Sequence, residues 1–140
     1  MKYEWDSSLE TGYEKIDSQH KKLIEALNNL LDACRSGGSK FELEKTIDFL
    51  LTYTVDHFQD EENLQKQYGY PDYLRHRQIH ENFKPVAVNL AERLQNEGST
   101  VALLAEVHSS IGNWIVNHIK GEDLIMARYI KSRTDTPLHD

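Results

Sequence analysis

Seven side chains able to hold a metal ion fall in helical phase along this chain: His20, His57, Glu61, His76, His80, His118 and a carboxylate just beyond, Glu122 or Asp123. His57/Glu61 and His76/His80 are four residues apart. On a helix that spacing puts both side chains on one face, about 5–6 Å apart, close enough to share a metal or serve two adjacent ones. After His118 a regular helix favours the +4 carboxylate, Glu122, over the +5 carboxylate, Asp123. Each of these groups interrupts or extends an otherwise apolar stripe, so each faces a core. Buried imidazoles and carboxylates are costly without partners, and bound metal satisfies them together. Seven donors exceed the needs of one tetrahedral ion but suit two metals about 3.5–4 Å apart, bridged by carboxylates. Imidazole and carboxylate without thiolate fit iron, zinc, copper or nickel, and donor type alone leaves that choice open.

The elements that must position these groups are four helical stretches. The first follows an N-cap at Asp17 or Ser18 and reads Leu23, Leu27, Leu30, Cys34 before the Arg35-Ser36-Gly37-Gly38 loop signal. The second reads Leu43, Ile47, Leu50, Thr54, His57, Glu61, Leu64, Tyr68 and stops near Gly69-Tyr70-Pro71. The third reads Tyr73, His76, His80, Phe83, Ala87, Leu90, Leu94, with Pro85 predicting a kink or break. The fourth, after Gly98-Ser99, reads Val101, Leu104, His108, Ile111, Ile115, His118, Glu122, Ile125, Tyr129. Four such helices joined by short loops predict an all-α, up-down-up-down antiparallel four-helix bundle. The expected layout is a single domain over 1–140: an N-terminal arm (1–16) with Tyr3, Trp5 and Tyr13, a bundle over about 17–131, and a frayed polar tail over 132–140.

Composition narrows the function classes. A length of 140 residues supports one core and little else. The net charge of −7 disfavours nucleic acid as a partner. The lack of a long apolar run or of a basic-then-apolar leader disfavours a membrane span or secretion. Cys34 is the single cysteine, which excludes an internal disulfide and a thiolate cluster within the chain; it reads as a small core hydrophobe in a reducing, cytoplasmic setting. No Glu-x-x-His pair of the ferritin type, zinc-protease pattern or phosphate-binding glycine loop is present.

The chain resembles the hemerythrins, and among them the single-domain bacteriohemerythrins. The resemblance rests on Ile16-Asp17-Ser18-Gln19-His20-Lys21, on His57-Phe58-Gln59-Asp60-Glu61-Glu62, on Gly69-Tyr70-Pro71 leading into His76, His80 and Phe83, and on Trp114-Ile115, His118-Ile119 and Asp123. Trp5 and Gly12 of the arm add to it, and it runs from about residue 3 to residue 130. It implies reversible O2 binding at a non-haem centre of two iron ions (Fe2+/Fe3+) bridged by carboxylates and an oxo or hydroxo group. His76, His80 and His118 would hold one iron. His20 and His57 would hold the other, which keeps an open position for O2. Glu61 and Asp123 would bridge them, so the resemblance favours the +5 carboxylate, with Gly121 expected to ease the local distortion. Phe58, Trp114, Ile115 and Ile119 would line a dry pocket for O2.

Two positions depart from the family pattern. Gln65 stands where many bacterial members carry Met; its amide is expected either to touch the bridging Glu61 or to face solvent. Tyr13 replaces a smaller apolar residue in the arm. His108, ten residues before His118 and so about 15 Å away along a helix, is expected to be a boundary residue, and His139 a solvent-exposed one. The reading is of an oxygen carrier, store or supplier rather than an enzyme. The alternatives are an O2 or redox sensor, or oxidase, peroxidase or nitric oxide chemistry at the same site.

Overall fold

The computed structural model describes residues 2–37 and 39–134. Helix α1 spans Glu14–Ser36, α2 Lys40–Gln67 and α3 Tyr73–Glu97. Helix α4 is one helical run over 101–134, built from Val101–Glu106, Val107–Gly112, Asn113–His118, Ile119–Asp123 and Leu124–Thr134. A short 3-10 turn, Ser7–Leu9, precedes them, and no strand occurs among the described residues. Two helices, α2 and α4, start on side-chain caps: Ser39 Oγ accepts from the Glu42 N–H, and Thr100 Oγ1 accepts from the Leu103 N–H, each at 3.1 Å. Gly37, left-handed at φ 64°, closes α1. The four helices form the antiparallel bundle that their apolar stripes predict, around Leu23, Leu27, Leu30, Ile47, Leu50, Leu90, Leu94, Leu103 and Val107. Cys34 lies in this core as a buried thiol.

The structure departs from the sequence expectations at several points. Helix α1 begins three residues before Asp17, and Asp17 does not cap it. Its carboxylate instead accepts from the Thr11 N–H (2.9 Å), the Thr11 hydroxyl (2.7 Å) and the Gly12 N–H (3.2 Å), pinning the incoming arm to the first helical turn. Helix α3 runs unbroken through Pro85, because the packing of Phe83, Ala87 and Leu90 on either side holds the helical course. Helix α4 continues through Thr134, past the expected end at residue 131. Tyr13 packs with Ile16, Tyr70, Met126 and Ile130 in a second, smaller cluster. His139 lies outside the described residues.

The largest departure is in α4. Two of its segments, Val107–Gly112 and Ile119–Asp123, are π-helical: the Asn113 N–H reaches back five residues to the His108 carbonyl, and the Leu124 N–H to that of Ile119. Each π turn takes up one extra residue. The buried face therefore reads Leu103, Val107, Ile111, Ile115, His118, Ile119, Asp123, Met126, Ala127, Ile130. The regular stripe predicted from sequence is right in the middle and one residue out on both flanks. Val101 is 88 % exposed and the first buried residue after it is Leu103; Ile125 is 54 % exposed beside the buried Met126.

Candidate metal centre

The bundle brings the seven predicted donors together. Ligand atoms of Glu61, His76, His80, His118 and Asp123 lie within 4.8 Å of one another, and so do those of His20, His57, Glu61 and Asp123. The two groups share their carboxylates. Asp123 stands 2.9 Å from His20 Nε2, 3.1 Å from His76 Nε2 and 3.0 Å from His118 Nε2. Glu61 stands 3.2 Å from His20 Nε2, 3.0 Å from His57 Nε2 and 3.4 Å from His80 Nε2. All seven side chains are buried.

The second π turn decides which carboxylate arrives. With one residue more than an α-helical turn between them, Asp123 comes into phase with His118, and Glu122 swings to the outside. There Glu122 accepts two hydrogen bonds from Arg75, at 2.5 and 3.0 Å. The helix geometry assumed from sequence fails here for this reason. Gly121 does not need to be glycine on steric grounds: it has no positive φ, and a Cβ there meets nothing within 4 Å.

The electrostatics are those of a paired core. Burial works against charge on His20 and His76, but hydrogen bonds to Asp123 and Glu61, together with their charges, outweigh it and raise the two imidazoles to about 10 and about 9. Burial likewise opposes ionisation of Glu61, yet the charge of His57 and hydrogen bonds from His20, His57 and His76 hold it well below the usual carboxylate range. Asp123, buried and beside Glu61, is nonetheless driven down by His118 and His20.

Outer contacts orient three of the rings. His57 Nδ1 donates to Gln19 Oε1 at 2.7 Å, and Gln19 Nε2 donates to Asp60 at 2.8 Å. His80 Nδ1 meets the buried Glu62 carboxylate at 2.8 Å. Phe58 stacks on His80 with centroids 3.8 Å apart and planes 2° from parallel, and Trp114 stacks on His118 at 4.5 Å and 10°. Sequence reasoning missed Gln19 and Glu62 as ring partners, and Asp60 as the group that holds Gln19. Gln19 directly precedes a donor histidine and Glu62 directly follows a donor carboxylate, which was the available signal.

Phe58, Trp114, Ile115 and Ile119, with Leu23, Thr54, His57, His118 and Asp123, surround a cavity of about 10 Å³, room for about one water-sized molecule. Leu23 and Thr54 were not anticipated. Gln65 does not face solvent and makes no hydrogen bond to Glu61. It is fully buried, and neither atom of its amide has a hydrogen-bond partner among the described residues. His108 sits away from the cluster, half-buried, between the Tyr3 hydroxyl and Arg35, at 3.2 Å from each.

Residues 11–130 match the family described as the Hemerythrin HHE cation binding domain. A bacteriohemerythrin of Stenotrophomonas maltophilia is 31% identical over 128 residues, covering 91% of this chain and 81% of that protein. A myohemerythrin of Theromyzon tessulatum is 32% identical over 123 residues, covering 86% of this chain and 88% of that protein. The crystal structure of a wild-type hemerythrin superposes with a TM-score of 0.79 at 26% identity, covering 91% of this chain and 97% of that one. The chain belongs to the hemerythrin family.

Proposed function

We propose that this protein binds O2 reversibly at two non-haem iron ions, held and bridged as the two overlapping donor groups suggest. The observation that carries the reading is the sharing of Glu61 and Asp123 between a three-imidazole group and a two-imidazole group. His76, His80 and His118 would hold one iron and His20 and His57 the other, with Glu61 and Asp123 available to both and an oxo or hydroxo group completing the cofactor. The residues fit this cofactor: His57 Nε2, His76 Nε2, Glu61 Oε1 and Asp123 Oδ1 are buried and crowd one centre, with His57 Nε2 3.0 Å from Glu61 and His76 Nε2 3.1 Å from Asp123, yet none makes a well-aligned hydrogen bond among the described residues. Their donor types suit iron. When bound, the iron pair supplies the two electrons that reversible O2 binding needs.

The chain's own residues do the rest. The two-imidazole group supplies fewer donors, so an iron held there would keep a position for O2, and its His57 lines the small cavity. Phe58, Trp114, Ile115 and Ile119 keep that cavity dry, which limits proton delivery and the loss of reduced oxygen. Glu62 and Gln19 fix the tautomers of His80 and His57 so that Nε2 faces the centre.

This is a binding role rather than turnover, and a single domain carries it. No helix among the described residues is long and apolar enough to cross a membrane. The lone buried Cys34 fits a reducing, cytoplasmic setting. The test is a visible spectrum of iron-loaded protein, reduced without oxygen, then in air, then deoxygenated again. A colourless reduced form that gains absorption in air and loses it on deoxygenation is expected. Immediate, irreversible oxidation in air would overturn the carrier reading in favour of a sensor or an enzyme.

A further inference from the structure

The donor cluster has two layers. Helices α1 and α3 run through it one way and α2 and α4 the other, so the rings of His57, His80 and His118 lie on the side of the cavity and those of His20 and His76 on the opposite side, with Asp123 between the layers and reaching the cavity wall. One turn further along that opposite side, α2 places Gln65, four residues after Glu61 and on the same helix face. Beyond it lies the apolar cluster of Ile16, Tyr70, Met126, Ala127 and Ile130.

Three side chains on this side carry buried polar atoms that lack partners among the described residues. His20 Nδ1, His76 Nδ1 and both amide atoms of Gln65 are buried with no hydrogen bond among the described residues. Both rings turn Nε2 toward Asp123, so Nδ1 carries the proton in a neutral, metal-binding imidazole and needs an acceptor. A buried amide without a partner is as costly as a lost hydrogen bond or more. Donors and acceptors left over in adjacent layers, with no direct bond between them, are the conditions under which a protein keeps an internal water, which takes two to four polar partners.

We propose that Gln65 is a positioning residue of the centre: through one buried water its amide accepts from the Nδ1–H groups of His20 and His76, one ring from each donor group. The water joins the two halves of the ligand set from below, as Glu61 and Asp123 join them from within. Gln65 thereby orients a ring on each metal and raises its basicity. A Met at this position supplies no such acceptor.

The proposal rests on the di-iron reading, and the test separates the two. Iron-loaded wild type and Gln65→Met, labelled with 15N-histidine, are compared by NMR of the metal-shifted, solvent-exchangeable imidazole N–H signals. In Gln65→Met the His20 and His76 signals move and exchange faster with D2O, while those of His57 and His80, held by Gln19 and Glu62, stay in place. Iron loss to a chelator speeds by about tenfold, the scale of lost outer-shell support. Gln65→Glu, which keeps an acceptor, restores the slow exchange. Unmoved His20 and His76 signals in Gln65→Met overturn the proposal and leave the di-iron reading intact; a wild type that takes up no iron overturns both. If Gln65→Met does not fold, a high-resolution crystal structure of the iron-loaded wild type decides: a water bonded to Gln65 and both Nδ1 atoms is expected, and its absence overturns the proposal.

Discussion

The two sides of the donor cluster are built from opposite materials. On the cavity side, Phe58 and Trp114 lie flat on His80 and His118, and Leu23, Ile115 and Ile119 complete an apolar lining. Two of that layer's three rings also have their outer nitrogens held, by Gln19 and Glu62. On the other side, His20 and His76 have bare outer nitrogens, the strongest pull toward protonation and a buried amide beyond them. The difference teaches that one layer is finished for excluding water and the other for meeting charge. A small apolar ligand then has one side to enter from, and protons have little reason to be there.

The contrast is tested most severely at the residue that belongs to both donor groups. Asp123→Ala leaves His20, His76 and His118 without their common carboxylate, and removing one partner of a buried pair costs about 3–5 kcal/mol. Both irons are expected to be lost together, read by metal analysis after desalting. Retention of one iron would mean that the halves load independently.

On the cavity side, Ile119→Glu brings a carboxylate against the dry lining. The oxygenated form is expected to decay about tenfold faster, followed by its visible absorption, with iron content unchanged. An unaltered decay rate removes Ile119 from that role.

The other side is probed by pH in the metal-free protein. His20 and His76 are raised to about 10 and about 9, above the value near 6.5 of an unfolded histidine. Their contribution to stability is complete below pH 6.5 and is lost as pH rises through 9–10. The urea midpoint of metal-free protein should therefore fall between pH 6.5 and pH 10. Metal-loaded protein, whose Nε2 atoms are engaged, should show no such fall from these groups. An equal or rising midpoint in the metal-free form would deny the pairing to Asp123 and Glu61.

The smallest effect is expected at Thr54. Its hydroxyl is already spent on the Leu50 carbonyl at 2.6 Å, so Thr54→Val should alter the decay of the oxygenated form less than about twofold. A large change would mean that the hydroxyl faces the cavity instead.

Much of this was legible in the sequence because histidines and carboxylates replace apolar residues in phase on four helices, and side chains sharing a core face must meet. His20, His57, Glu61, His76, His80 and His118 needed only that periodicity. Asp123 did not follow from it. A π turn leaves no mark in the pattern of apolar residues except a slip of one position, and a single stripe cannot tell a slip from scatter. The same slip put the exposed Ile125 on the predicted core face, while Leu104 and Tyr129 sit half-buried at its edge. Asp17 misled because its residue type suits an N-cap equally well, and only the path of the arm decides that it binds Thr11 and Gly12 instead. Of the kink or break expected at Pro85, the break does not occur, because packing on either side outweighs the local backbone penalty.

The π turn at Ile119–Asp123 makes the centre asymmetric toward changes in chain length. Removing Gly121, whose Cβ position touches nothing, leaves His118 and the aspartate four residues apart. A plain α-helix then keeps the pair, and everything downstream, on the same face. Adding one more residue at that point instead turns the aspartate about 100° away, with no further bulge to absorb it. The helix thus carries the form of a one-residue insertion already accommodated: it can give that residue back, and it has no room for another.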